Sequence, residues 1–180
     1  AGGGQALREI LSGLPADYRL PILVVQHLHA SDDDGFAKLL DREITLRVVT
    51  PFDKQRMESG HVYMAPANYH MLAERNGTIA LSTEKRVNWS RPSIDVLFES
   101  SAHVWDEKVI AILLTGASSD GTKGILTVKN LLGLTIAQDP VTAEYPVMPQ
   151  SAIDAGAVMK IMAPGEIGDL LIEMGLAPNE

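Results

Sequence analysis

The chain contains no cysteine, which excludes disulfides, thiolate zinc sites and thiol nucleophiles. No run of 18 apolar residues occurs, so no membrane-spanning helix is expected. Basic residues are outnumbered: 15 Lys and Arg stand against 23 Asp and Glu, for a formal net charge of −8. That balance argues against non-specific binding to nucleic acid or anionic membrane, both of which need basic patches. Internal repeats, low-complexity tracts and interdomain linkers are also lacking. No segment reads as a signal peptide, and the cytoplasm is the expected location. What is present is an ordinary globular composition, 46% hydrophobic and 21% charged, over a length of 180 residues that suits one well-buried core. One domain over 1–180 is expected.

The opening Ala1-Gly2-Gly3-Gly4 runs directly into Leu7, Ile10, Leu11 and Leu14. Their i, i+3, i+4, i+7 spacing predicts a helix over about 4–13. Glycines at a helix start usually follow a strand and mark a close approach of the backbone to something else. The expectation is that the chain enters a strand–loop–helix unit midway, with its N-terminal strand and loop missing.

Beyond that helix the pattern alternates. Strands are predicted at Pro21 to Gln26, 45–50, 109–114, Leu134 to Gln138 and Ala157 to Ile161. Helices are predicted over about 32–41 (capped by Ser31, with Asp33 and Asp34 in the first turn), Pro92 to 104, 120–132 (closed by Gly133), Pro149 to Ala155 and 164–174. Three short extended segments, His61–Ala65, Tyr69–Arg75 and Thr78–Ser82, are separated by Pro66-Ala67-Asn68 and by Asn76-Gly77, the latter a hairpin signal. Alternating strands and helices imply an α/β fold. It is a doubly wound, mainly parallel sheet with helices on both faces and a small antiparallel hairpin insertion near 61–82. Ala177 to Glu180 are expected to fray.

In such a sheet, ligands and reactive groups gather at the carboxyl ends of the strands. His27 follows Ile22-Leu23-Val24-Val25-Gln26, and Asp120 follows the apolar run ending at Leu114 in the glycine-bracketed loop 116–121. Both therefore fall on one edge and could meet. An Asp that fixes the tautomer of a His is two-thirds of a nucleophilic triad. The third member belongs at a helix N-terminus, where backbone N–H groups can hold an oxyanion. The glycine-rich start at 2–4 has that form, which points to the position just before Ala1. Asp120 could instead simply cap a helix.

Other patterns are weaker. His27-Leu28-His29 with Asp32-Asp33-Asp34 has the look of a ligand cluster, but the acids fall where a helix start explains them, and no metal is expected. Gly116 to Lys123 approximates a phosphate loop with Lys and Thr in the wrong order and an Asp inside it. Trp89 and Arg91, ahead of a helix, could contribute to a substrate surface. Met148-Pro149 could border the same sheet edge. His61, His70 and His103 have no paired context.

Taken together, several segments resemble the catalytic domain of protein-glutamate methylesterases, the CheB family of bacterial chemotaxis. The matching pieces are Ala1-Gly2-Gly3 with Ala6-Leu7, Leu14-Pro15-Ala16, Val24-Val25-Gln26-His27 and His61-Val62-Tyr63-Met64-Ala65-Pro66. Arg91 to Phe98, Leu114-Thr115-Gly116, Ser119-Asp120-Gly121, Gln138-Asp139, Met148-Pro149 and Ser151-Ala152-Ile153 also match. The resemblance implies a Ser–His–Asp hydrolase acting, without a cofactor, on glutamate methyl esters of chemoreceptors, with glutamine deamidation in some members. It makes His27 the general base and Asp120 the orienting acid. The nucleophile would be a serine immediately before Ala1, in a Gly-x-Ser-(Thr or Ala)-Gly-Gly motif of which Ala1-Gly2-Gly3 remains. Ala1, Gly2, Gly3, Ala117 and Met148 would form the oxyanion side and rim, and Arg91 part of the substrate surface. The implied partners are a methylated receptor or similar signalling protein and a phosphorylatable receiver domain. Two departures stand out: Ala117 where Met is frequent, and three acids following His27. A non-catalytic docking domain that keeps the fold without the nucleophile is the alternative expectation.

Overall fold

The computed structural model describes residues 3–27 and 34–176. It opens with helix α1 (Gly3–Ser12), followed by strand β1 (Ile22–Val24), helix α2 (Gly35–Glu43) and strands β2 (Arg47–Val49) and β3 (His61–Met64). A hairpin of β4 (His70–Ala73) and β5 (Ile79–Ser82) comes next, then α3 (Ile94–Trp105), β6 (Ile110–Leu113), α4 (Thr122–Asn130) and β7 (Leu134–Gln138). The chain closes with α5 (Val147–Asp154), β8 (Lys160–Met162) and α6 (Pro164–Leu176).

Two three-stranded parallel sheets form, ordered β1-β3-β2 and β6-β7-β8, beside the two-stranded antiparallel β4-β5. The period-two alternation of side chains sorts the core into layers. Ile22 and Val24 of β1, Val62 and Met64 of β3, and Ile110 and Ile112 of β6 all face one layer. There they meet Leu7, Ile10 and Leu11 of α1, Leu40 of α2, and Ile167 and Leu171 of α6. The residues between them face the other way. Ala111 and Leu113 pack under α3, α4 and α5, while Tyr63, with Leu23 and Val25, packs under the hairpin and Leu97. One continuous core layer thus spans both parallel sheets, and helices cover both faces, as the doubly wound expectation requires.

β1 is an edge of its sheet and β6 an edge of the other. Between them lies a cavity of about 780 Å³, lined by Ile22, Val24, Ile110 and Ile112 and, from the two opposite core layers, by Leu7 and Phe98. Cavities of this size are foreign to close-packed interiors.

Several boundaries move. His61–Met64 is not part of the antiparallel insertion. It is the central strand of the first sheet, parallel to both β1 and β2. Three of its four residues are buried, which explains its near-continuous apolar run. The hairpin is β4 with β5 alone, turned through Asn76-Gly77. Helix α2 starts at Gly35. Asp34 adopts a left-handed conformation at its N-cap, and its carboxylate accepts a hydrogen bond from Thr50 Oγ1 instead of capping. The proposed cap Ser31 and Asp33 lie outside the described residues, as do Ala177 to Glu180. Helix α3 begins at Ile94, two residues after Pro92. At the end of α4 the left-handed residue is Leu132 (φ 67°), not Gly133. Gly133 is required for proximity: a Cβ there would stand 2.6 Å from Val128 Cγ1 and 2.9 Å from the Val109 carbonyl oxygen.

Candidate active site

His27 follows the end of β1, and its Nε2 lies 2.8 Å from Oδ2 of Asp120. Asp120 is fully buried, in the loop between β6 and α4. The two residues are 93 positions apart in the chain. They meet because β1 and β6, each parallel to its own neighbour, β3 and β7, flank one cavity that both His27 and the loop after β6 line. A carboxylate accepts only, so the contact commits the Nε2 hydrogen to Asp120. Nδ1 is left as the basic nitrogen of the neutral ring.

Asp120 does not cap its own helix. The N-cap of α4 is Gly121, at φ 97°, a conformation that a Cβ disfavours. The Asp120 carboxylate instead caps α3 from across the fold. Its Oδ2 accepts the Ile94 N–H at 2.7 Å, and its Oδ1 accepts the Asp95 N–H at 3.3 Å. Oδ1 also accepts from Ser93 Oγ at 2.8 Å and from Asn88 Nδ2 at 3.2 Å. Burial pushes the Asp120 carboxyl up. The bonds from His27, Ile94, Ser93 and Asn88, together with the positive end of α3, outweigh it and hold the group below the ordinary carboxylate range. Asp120 is therefore a fixed anion at neutral pH, oriented by four partners other than His27.

A second buried carboxylate braces this arrangement. Asp95 accepts from Asn88 Nδ2 at 2.7 Å and from the Gly124 N–H at 2.7 Å, tying α3 to α4. Buried His70 closes the far side. The Ser93 N–H donates to its Nδ1 at 3.2 Å, which leaves Nε2 to donate to the Lys85 carbonyl at 3.0 Å. Asn88, Ser93, Asp95 and His70 were not singled out as site-forming by spacing. Their roles depend on the start of α3 meeting the 116–121 loop, and no local pattern encodes that meeting.

The remaining predicted positions gather around the pair. The Gln26 amide packs against the start of α1, where a Cβ on Gly3 would stand 3.0 Å from its Oε1. The first turn of α1 is thus brought beside His27. Gly3, His27, Ala117 and Met148 all line the cavity described above. Met148 is buried on Gly116, and its N–H donates to the Gly116 carbonyl at 2.9 Å. Thr115 holds this loop in place. Its Oγ1 accepts from the Tyr145 N–H and its N–H donates to Gln138 Oε1. Arg91 lines a smaller cleft, about 160 Å³, that also includes His27. Ala1 and Gly2 lie outside the described residues, as do His29, Asp32 and Asp33 of the suggested ligand cluster. Among the described residues no three His, Asp or Glu side chains gather as a metal site, and no helix is long and apolar enough to cross a membrane.

Parallel strands wrapped by helices on both faces, with an imidazole–carboxylate pair at their carboxyl edge beside a helix N-terminus, define an α/β protein with a hydrolase-type site. The model of the CheB methylesterase family matches residues 1–171, and the chain belongs to that family. It is 42% identical over 174 residues to a Leptospira interrogans protein provisionally assigned as a protein-glutamate methylesterase/protein-glutamine glutaminase, covering 97% of this chain and 90% of that one. It is 35% identical to protein-glutamate methylesterase/protein-glutamine glutaminase 2 of Pseudomonas aeruginosa, covering 96% of this chain but half of that protein. The crystal structure of the Thermotoga maritima CheB methylesterase catalytic domain superposes with a TM-score of 0.92 at 34% identity, covering 96% of this chain and 93% of that one.

Proposed function

We propose that the protein is a serine carboxylic ester hydrolase that removes methyl groups from glutamate esters of chemoreceptors, with His27 and Asp120 as two members of its triad. The observation that carries this reading is the 2.8 Å contact of His27 Nε2 with a buried, multiply hydrogen-bonded Asp120. That geometry presents Nδ1 as the base. The nucleophile in this reading is a serine directly before Ala1, delivered by a strand that fits between β1 and β6. The apolar cavity between those two edges supports it.

The serine hydroxyl attacks the ester carbonyl while His27 Nδ1 takes its proton. The resulting imidazolium is stabilised by Asp120, whose low proton affinity keeps it from taking the Nε2 proton. Negative charge on the carbonyl oxygen develops at the N-terminal turn of α1, where N–H groups without intrahelical acceptors and the helix dipole favour it. The imidazolium protonates the departing methoxide, and methanol leaves. Water, deprotonated by the same Nδ1, then attacks the acyl-enzyme and restores the free serine with a glutamate product. A glutamine side chain presents the same carbonyl with ammonia as the leaving group, which accounts for the second activity in the relatives' names. The reading places the protein in the cytoplasm, with a phosphorylatable receiver domain as regulatory partner.

The test is methanol release from methylated receptor by the protein as its gene encodes it. His27→Ala should cut turnover by about a thousandfold or more while leaving the thermal transition cooperative. Turnover retained in that variant would remove His27 from the mechanism.

A further inference from the structure

Trp89 breaks two rules at once. It is the most exposed large hydrophobic residue described, at 93%, so it contributes nothing to the core. It also occupies a left-handed backbone position, φ 63°, immediately after Asn88 at φ 48°. Val87 and Ser90 exchange both backbone hydrogen bonds across these two residues, at 3.1 and 2.8 Å. The turn is thus the two-residue hairpin type that favours Asn followed by Gly. Asn88 obeys that preference, and a bulky residue in second place is strained. Neither turn geometry nor burial accounts for tryptophan here, whereas contact with a partner would.

The turn is also fixed to the site. The Asn88 amide bonds both Asp120 and Asp95, so Trp89 directly follows a residue that is anchored to the carboxylate orienting His27. Trp89, Arg86, Arg91 and His27 line the same cleft. Arg86 is exposed and donates to the Trp89 carbonyl at 3.3 Å. Arg91 spends Nη1 on the Thr83 and Glu84 carbonyls, at 2.8 and 3.0 Å, while its sheltered Nε has no hydrogen-bond partner. Among the described residues neither guanidinium has a carboxylate within ion-pair distance. Asp34 lines the cleft too and keeps its negative charge while accepting from Thr50 Oγ1. In a chain of net charge −8, the described lining of this cleft therefore carries an aromatic face and two guanidinium cations against one carboxylate.

We propose that Trp89, Arg86 and Arg91 form a docking subsite for an acidic segment of the protein substrate flanking the reacting side chain. Trp89 seats an apolar side chain of that segment, and the guanidinium groups take a carboxylate next to the ester. The proposal rests on the esterase reading for what lies at His27.

The probe is a synthetic peptide carrying one glutamate γ-methyl ester flanked by leucine and glutamate, compared with a twin in which the flanking glutamates are glutamines. Calorimetric binding to the full-length protein should favour the acidic peptide. Trp89→Gly should weaken that binding about tenfold or more while raising Tm, because glycine relieves the left-handed strain. Arg86→Gln, at an exposed side chain, should erase the preference for the acidic twin. Unchanged affinity in Trp89→Gly, a lowered Tm in that variant, equal wild-type affinity for the two peptides, or no wild-type binding would each overturn the subsite. Methanol release, recorded on the same wild-type sample, reads the esterase assignment separately. Binding that depends on Trp89 without methanol release would keep the subsite and remove the ester reading.

Discussion

Asp120 does two jobs with one carboxylate. Oδ2 faces His27 and the Ile94 N–H, while Oδ1 faces Ser93, Asn88 and the Asp95 N–H. An asparagine has only one accepting atom, so Asp120→Asn turns an amide group toward donors and leaves some of them unpaired. Turnover should fall by about ten-thousandfold through the wrong histidine tautomer. Stability should fall by about 1–3 kcal/mol from the unsatisfied groups. The folded carboxyl is held below its unfolded value, near 4. Its stabilisation is therefore fully present above about pH 4 and is lost as the pH falls through the lower folded value. Urea unfolding of wild type and Asp120→Asn across pH 7 to 3 should show the gap between them closing below about pH 4. A gap that stays constant through acid would contradict the ionised cap.

At the scale of elements, the start of α3 is the keystone of the site. Its Ser93 has no side-chain cap bond to its own helix. The cap comes from Asp120, the approach is fixed by His70, and Asp95 in its first turn grips α4 through Gly124. His70→Ala leaves the Ser93 N–H and the Lys85 carbonyl without partners inside the fold and should cost about 2–3 kcal/mol in denaturant titration. Gly121 turns the chain from Asp120 into α4 at φ 97°. A Cβ there would also stand 2.7 Å from Leu113 Cδ1 and 2.8 Å from Ile94 Cγ2. Gly121→Ala should therefore destabilise by more than about 1 kcal/mol and lower turnover as well, because the displaced groups sit beside the carboxylate. An alanine variant with wild-type stability and turnover would show that the turn tolerates a side chain. The elements themselves were largely legible. Apolar periodicity marked α1, the apolar run ending at Leu114 marked β6, and Asn76-Gly77 marked the hairpin. His61–Met64 misled because a short apolar run does not reveal its pairing. Only the burial of both its faces identifies it as a central parallel strand.

At the scale of the molecule, two parallel sheets share one continuous core layer, and among the described residues their edge strands β1 and β6 have no further strand partner and face a common apolar cavity. A strand between them would satisfy both edges and cover Ile22, Val24, Ile110 and Ile112. A longer polypeptide supplying such a strand before Ala1 should exceed the 180-residue chain in unfolding free energy by roughly 3–5 kcal/mol, the equivalent of burying two or more large aliphatic side chains. Hydrogen exchange should show the β1 and β6 amides gaining protection in the longer form. Equal stability and exchange in the two forms would mean that the edges pair in some other way.

By itself the sequence determined the alternation of strands and helices, the sheet edge on which His27 and Asp120 both end, and the helix-starting glycines beside them. Each of these is written in local periodicity or in a residue's own backbone preference. The tertiary structure decided what Asp120 caps, which histidine nitrogen faces it, and why Asn88, Ser93, Asp95 and His70 matter. Those are contacts between elements distant in the chain. Distances and directions across a packed interface depend on how whole layers settle against each other, and residue spacing carries no record of that.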